Sequence, residues 1–247
     1  MSSNDKIKRW EPSARWVRVK LGDEIVADSK RAMLVWEGSH FINYYFPPED
    51  VRQDLLSPTG RNGRGRQTWH VNGGSKGAEN AAWAYTELSP ENEALIGYIT
   101  FRWGKMDAWY EEEEEIFVHP RDPYHRVDVI PSSRYIKVEV NGEVVAESKR
   151  PYLLFETGLP TRYYLPQEDV RMDLLEPTDT QTACPYKGVA SYWAVHANGD
   201  SAKDIVWGYL DPIQEVGRIK DLVSFYNEKV NIYVDGELEH KPQTAWS

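Results

Sequence analysis

The residues best suited to chemistry lie in one short run, Cys184-Pro185-Tyr186-Lys187-Gly188. Thiolate is the reactive form of cysteine, and an ammonium three residues away lowers the thiol pKa if the loop folds the two together. His196 is the candidate base for such a nucleophile. Cys184 is the sole cysteine of the chain. Free cysteine is among the most buried residue types, so a structural or pocket-lining thiol is the first expectation and a catalytic one the second. A single cysteine also excludes an intrachain disulfide and any multi-thiolate zinc site.

Aromatic rings are the second resource. The 10 Trp and 15 Tyr exceed what an ordinary core needs, and large amphipathic rings suit a site that is apolar yet hydrogen-bonds. Two sets stand out: Tyr44, Tyr45, Trp69, Trp83 and Tyr85, then Tyr163, Tyr164, Tyr192, Trp193, Trp207 and Tyr209. The spacings Trp83-x-Tyr85 and Trp207-x-Tyr209 put each pair on one face of a strand. Facing another sheet across a gap they wall a cavity; packed without a gap they are core.

Cations come next. The tract Arg61-Asn62-Gly63-Arg64-Gly65-Arg66 stands roughly where the later half has Cys184–Gly188. Arg64 and Arg66 on one side and Lys187 on the other would put a cation at equivalent loops, suited to a carboxylate or phosphate on a small ligand. Arg52 and Arg171 follow Glu49 and Glu168 at a helical i−3 spacing that allows surface ion pairs. Gly73-Gly74-Ser75-Lys76-Gly77 has no Ser or Thr after its lysine, so it is a hairpin loop and not a phosphate-binding Walker loop. The acids Glu111–Glu115 read as a solvated charge run.

The elements that must position these residues occur twice. Arg15–Thr59 realigns without a gap onto Arg134–Thr178 at a shift of 119, with about half of the pairs identical. Ala81–Glu113 realigns onto Ile205–Glu237 at a shift of 124, so the second copy holds 5 extra residues in between. A repeat of this length is a duplicated domain and not a solenoid. Each copy opens with a hairpin of alternating strands, Val17–Leu21 then Glu24–Ala27, and Ile136–Val140 then Glu143–Ala146. Asn141-Gly142 supplies the stronger turn and Gly22-Asp23 the weaker. Further strands are expected at Met33–Glu37, Thr68–Val71, Ala81–Tyr85 and Tyr98–Phe101 and at their second-copy equivalents, ending with Val230–Val234 before Asp235-Gly236. One short helix per copy is expected after Pro47-Pro48-Glu49-Asp50 and its counterpart, with Val51, Leu55, Val170 and Leu174 facing the core. Residues 1–14 read as a loose arm and 120–133 as a linker.

Bulk composition limits partners. No run of 18 apolar residues and no basic-then-apolar leader is present, so neither a membrane span nor a secretory signal is expected. The net charge of −10 disfavours non-specific binding to phosphate backbones, so a nucleic-acid partner is not expected. A cytoplasmic location follows from these readings.

Three motif groups carry a resemblance: Arg162-Tyr163-Tyr164-x-Pro166-x-Glu168-Asp169-Val170-Arg171, then Thr182-x-Cys184-Pro185-Tyr186-Lys187-Gly188-x-Ala190-x-Tyr192, then Trp207-x-Tyr209-x-Asp211-Pro212. Together they resemble the bacterial family named domain of unknown function 427, with the whole pattern in the second copy and its beginning and end in the first. The resemblance implies a β-tent, two antiparallel sheets leaning on one another, similar to the drug-binding domain of cereblon. The family is also filed as a nucleotidyltransferase. Some members of the wider fold hold zinc, but this chain lacks the cysteines, so no metal and no cofactor is expected.

The combined expectation is a mainly β protein of two tandem β-tent domains, 15–119 and 134–247, each of two antiparallel sheets with one short helix. Each would bind a small planar, anionic or nucleotide-like molecule in an aromatic-walled pocket between its sheets. The second copy would use Tyr163, Tyr164, Arg171, Cys184, Tyr186, Lys187, Tyr192, Trp193, Trp207 and Tyr209. The first would use Tyr44, Tyr45, Arg64, Arg66, Trp69 and Trp83. The alternatives are an enzyme, either Cys184-based or a nucleotidyltransferase, and a protein-interaction scaffold.

Overall fold

The computed structural model describes residues 6–38, 41–60 and 65–247. The chain forms two compact units, Met1–Asp122 and Pro123–Ser247, each mainly antiparallel β. In the second unit a seven-stranded sheet runs in the order Val127–Pro131, Tyr152–Glu156, Arg162–Pro166, Leu222–Phe225, Asp200–Pro212, Gly188–Ala197, Leu175–Cys184. A four-stranded sheet holds Glu143–Ser148, Ile136–Val140, Asn231–Val234 and Glu237–Leu238. The first unit repeats both. Its large sheet is two pieces, Ile7–Pro12, Met33–Glu37, Phe41–Tyr45 and then Ile99–Phe101, Gly77–Tyr85, Arg66–Asn72, Leu56–Pro58. A bridge between Phe46 and Ile99 joins them.

The hairpin strands Val17–Leu21 and Ile136–Val140 alternate buried and half-buried residues, as a sheet with one solvated face requires. Asn141 and Gly142 both adopt positive φ, 50° and 79°, the geometry of a tight two-residue hairpin turn. Strands appear at every expected position from Met33 to Phe101 and from Tyr152 to Val234.

Two expectations need correction. The arm and the linker each contain a strand: Ile7–Pro12 pairs with Met33–Glu37, and Val127–Pro131 with Tyr152–Glu156. Each closes one edge of a large sheet with a proline-ended segment, which is where proline is tolerated in a sheet. The helix after Pro47 is not continuous either. It is two 3-10 turns, Pro48–Asp50 and Gln53–Leu55, on either side of an extended Val51 that bridges Ala27. Val51 and Val170 are buried as expected, with Leu55 and Leu174 packed against the same cores. The longest helical segments, Pro90–Leu95 and Gln214–Ile219, lie elsewhere.

The break at Val51 redirects the arginines. Arg52 and Arg171 pair with Asp54 and Asp173, both at 2.6 Å, instead of the acids three residues back. Glu49 and Glu168 reach Arg31 and Arg150.

Candidate functional site

Successive residues of a strand point to opposite faces, and the large sheets use both. In the second unit Leu153, Tyr163, Leu165, Val195, Val206, Val223 and Phe225 pack with Ile136, Val138 and Val145 of the small sheet. On the opposite, outer face Leu154, Tyr164, Ala190, Tyr192, Trp207 and Tyr209 form a separate buried cluster with Val216 and Ile219 of the segment Gln214–Ile219. The first unit matches it with Val35, Tyr45, Trp83, Tyr85 and Leu95.

This placement corrects the expectation of an aromatic pocket between the sheets. That space is a packed core, and the aromatic sets divide. Tyr44 and Tyr163 lie within it, with Trp69 and Trp193 packed against it. Tyr44 donates to Glu111 Oε1 at 2.8 Å, and Tyr163 donates to Glu239 at 2.5 Å. Glu111 is therefore a buried acceptor, also bound by Arg15, and not part of a solvated run. The other rings face outward.

At the centre of each outer face stands a glutamate that sequence reasoning missed. Glu37 and Glu156 are equivalent under the 119-residue shift, and their side chains are only 12% and 6% exposed. Glu37 Oε1 accepts from Tyr45 at 3.0 Å and Tyr85 at 2.7 Å. Burial, reinforced by the Glu37 charge, pushes the Tyr85 phenol up to about 12 and raises Tyr45 as well. Both phenols therefore stay protonated and donate. The Arg66 guanidinium lies 4.0 Å from the Trp83 ring centre and 4.6 Å from that of Tyr85. It donates to the Tyr85 hydroxyl at 2.5 Å and comes within 3.6 Å of Glu37.

In the second unit Lys187 Nζ bonds Glu156 Oε2, and His125 Nε2 meets Oε1 at 3.0 Å. Tyr186 stacks on His125 at 4.1 Å. Trp207 Nε1 donates to the Tyr164 hydroxyl at 3.0 Å, and Tyr192 shares a hydrogen bond with Thr182 at 2.8 Å. Cys184 is half-buried beside these phenols. Burial is the main cause that pushes Tyr164 and Tyr209 up, and the Glu156 carboxylate adds to it. The equivalent residues Thr100 and Ser224 lie in the strand between the paired rings, fully buried, and their hydroxyls have no partner among the described residues.

A second missed element borders this face. Arg162 makes a two-pronged pair with Glu228, both bonds at 2.7 Å, and receives further support from Asn227 at 3.0 Å. Three rings, Trp207, Tyr226 and Trp246, surround its guanidinium at 5.5 to 5.8 Å. Burial opposes ionisation of Glu228, but hydrogen bonds from Arg162 and Thr244 outweigh it and hold the acid down at about 2.

The structure thus brings together Tyr164, Cys184, Tyr186, Lys187, Tyr192, Trp207 and Tyr209, and in the first unit Tyr45, Arg66 and Trp83. Arg171 is exposed and occupied by Asp173, in a surface depression of about 460 Å³. Arg64 lies outside the described residues. Lys187 serves Glu156 and not the thiol. His196 is exposed and bound to Glu176 at 2.7 Å. It is eight residues along the strand from Gly188, the cross-strand partner of Cys184, about 26 Å at the rise of a β-strand. It is not a base for Cys184.

The glycine-lysine loop is structural too. A Cβ on Gly73 would come within 2.3 Å of the Leu21 carbonyl oxygen, and Lys76 pairs with Asp107. Among the described residues no three of His, Cys, Asp and Glu are grouped to hold a metal ion, and no helix is long and apolar enough to cross a membrane.

One signal for the glutamates was present: an identical acid ends the same apolar strand in both copies, Met33–Glu37 and Tyr152–Glu156. For Arg162 the signal was a joint change, since Asn43 and Gly104 stand at the equivalents of Arg162 and Glu228.

No curated protein matches the chain. A family model matches residues 9–112 and again 128–236, so the family's domain begins inside the segments first read as arm and linker. The chain belongs to the family described as domain of unknown function (DUF427), and carries that domain twice.

Proposed function

We propose that the outer face of the second unit's large sheet binds a small planar ligand with a hydrogen-bonding edge. In this reading each unit is a β-tent module whose small sheet supports that face from behind. The supporting observation is the convergence of Tyr164, Tyr192, Trp207 and Tyr209 with Cys184 and the Glu156–Lys187 pair on the face the small sheet does not use. A buried ion pair is weak as a source of stability because desolvation offsets its attraction. A recognition site, by contrast, combines apolar rings with a few oriented polar groups. The loop cations no longer argue for an anionic ligand, because Arg66, Arg171 and Lys187 each already hold a carboxylate. A thiol-based enzyme is disfavoured by the engagement of Lys187 and the distance of His196. The reading extends to a cytoplasmic location, supported by the use of one cysteine in 247 residues.

The test is a thermal-shift screen of nucleobases, nucleosides, planar amines and aromatic acids. A ligand at 100 times its Kd adds about 2.7 kcal/mol to stability, a shift of several degrees. Hits should disappear in Tyr192→Leu. Silence throughout, or hits that this variant leaves unchanged, would refute the reading.

A further inference from the structure

The two copies neutralise one and the same carboxylate with cations from different places. In the first, Arg66 reaches Glu37 from the strand position paired with Tyr85. In the second, the residue paired with Tyr209 is Ala190, and Glu156 receives Lys187 from the turn after Cys184, with His125 on its other oxygen. The acid, the tryptophan and the two tyrosines are shared, Glu37, Trp83, Tyr45 and Tyr85 against Glu156, Trp207, Tyr164 and Tyr209. The cation is not.

We infer that the duplicated site is an organic-cation site, filled in each copy by a side chain of the chain itself, and that its outside ligand is an alkylammonium or guanidinium compound exchanging with Lys187. This rests on the ligand-binding reading above and names the charge of the ligand. Electrostatics argue for that sign. The ring faces carry negative potential and attract cations, and Glu37 and Glu156 lie in the same wall. A neutral or anionic ligand that moved Lys187 aside would leave Glu156 buried with its main partner gone, and an unpaired buried charge is strongly unfavourable. A cationic ligand restores the pair as it displaces the lysine. Arg66 shows the bound geometry: a planar cation on Trp83 and Tyr85, donating to the Tyr85 hydroxyl beside Glu37. Lys187 is the cation able to leave, since it sits on a turn closed by its own N–H to the Cys184 carbonyl at 3.3 Å, whereas Arg66 belongs to a strand.

The experiment vacates each site and refills it. Arg66→Ala should lower the melting temperature, and millimolar methylguanidinium should restore part of the loss. Methylurea, of the same shape but neutral, should not. Lys187→Ala should respond in the same way to n-butylammonium and not to n-butanol. Wild-type protein should bind either cation at least about tenfold more weakly than the vacated variants, a difference of about 1.4 kcal/mol. If Arg66→Ala does not fold, Lys187→Ala decides alone, by titration of its tryptophan fluorescence. Equal responses to charged and neutral probes, or no response in a folded variant, would overturn the inference. Rescue in the variants with an empty wild-type screen would keep the cation site and sink the ligand-binding reading. Wild-type hits confined to neutral heterocycles would do the reverse.

Discussion

The two copies agree in their aliphatic cores and differ on their outer faces. Val17, Val19 and Leu21 match Ile136, Val138 and Val140 in position and burial, and the large sheets run in the same strand order. On the outer face the bulk has moved. The first copy has Arg66 and Thr68 where the second has Ala190 and Tyr192, paired with Tyr85 and Trp83 or Tyr209 and Trp207 in the same register. The large side chain has shifted two positions along one strand, which keeps it on the same face. The charges have moved in pairs: Asn43 and Gly104 against Arg162 and Glu228. Both members of the buried pair are present in the second copy and both are absent from the first, which fits the high cost of either charge alone. What the difference teaches is that the inter-sheet core sets the fold, while the outer face changes by compensated exchanges around one retained carboxylate.

The largest effect should come from breaking the pair that only the second copy owns. Glu228→Ala leaves Arg162 buried without its acid and should cost about 3–5 kcal/mol in urea unfolding. The pair also predicts a pH dependence. Glu228 is held at about 2 against an ordinary 4.5, so its contribution is present above pH 4.5 and is lost as the pH falls toward 2. Stability in that window should fall less steeply in Glu228→Gln than in the wild type.

The bulk exchange gives the next effect. Ala190→Arg adds the first copy's arginine where Tyr192 already fills the face, and should cost about 2–3 kcal/mol. Adding Tyr192→Thr should recover part of that loss, and a double-mutant cycle with no coupling would show that the exchange is not compensatory.

A smaller effect tests a device of the first copy. Gly73→Ala places a methyl group 2.3 Å from the Leu21 carbonyl oxygen and should cost about 1–2 kcal/mol. Gly104→Ala, with nothing within 4 Å, should stay within about 0.5 kcal/mol of wild type.

Arg52→Gln and Arg171→Gln should matter least and equally. Both pairs are open to water in both copies, where ion pairs contribute little. A drop in melting temperature for one copy alone would show that its arginine carries a structural contact the other lacks, such as that of Arg52 with Glu24.

The duplication, the strand positions and the hairpin turns were legible because they depend on local alternation and on turn residues such as Asn141-Gly142. The aromatic residues of the site were legible as types and Lys187 and Arg66 as its cations, but the expectation of equivalent loops fails, because Arg66 belongs to a strand and Lys187 to a turn. Where they point was not. Tyr163 and Tyr164 are neighbours in sequence yet serve opposite faces, and which face meets the small sheet depends on pairing across the sheet. The partners Glu37 and Glu156 escaped notice because a lone acid ending an apolar strand looks like an exposed edge residue until the sheet buries it.

By itself the sequence determined that two equivalent β-rich units exist, most of the strands that build them, and that the thiol lies in the second among many aromatic residues. Only the tertiary structure decided that Tyr164, Trp207 and Tyr209 face away from the small sheet while Tyr163 faces it, that Val51 interrupts a helix, and that Arg162 meets Glu228. The physical reason is range. Alternation and turn geometry act over a few residues, whereas the burial of a charge beside its partner is settled by contacts between residues as far apart as Arg162 and Glu228, or Arg66 and Glu37.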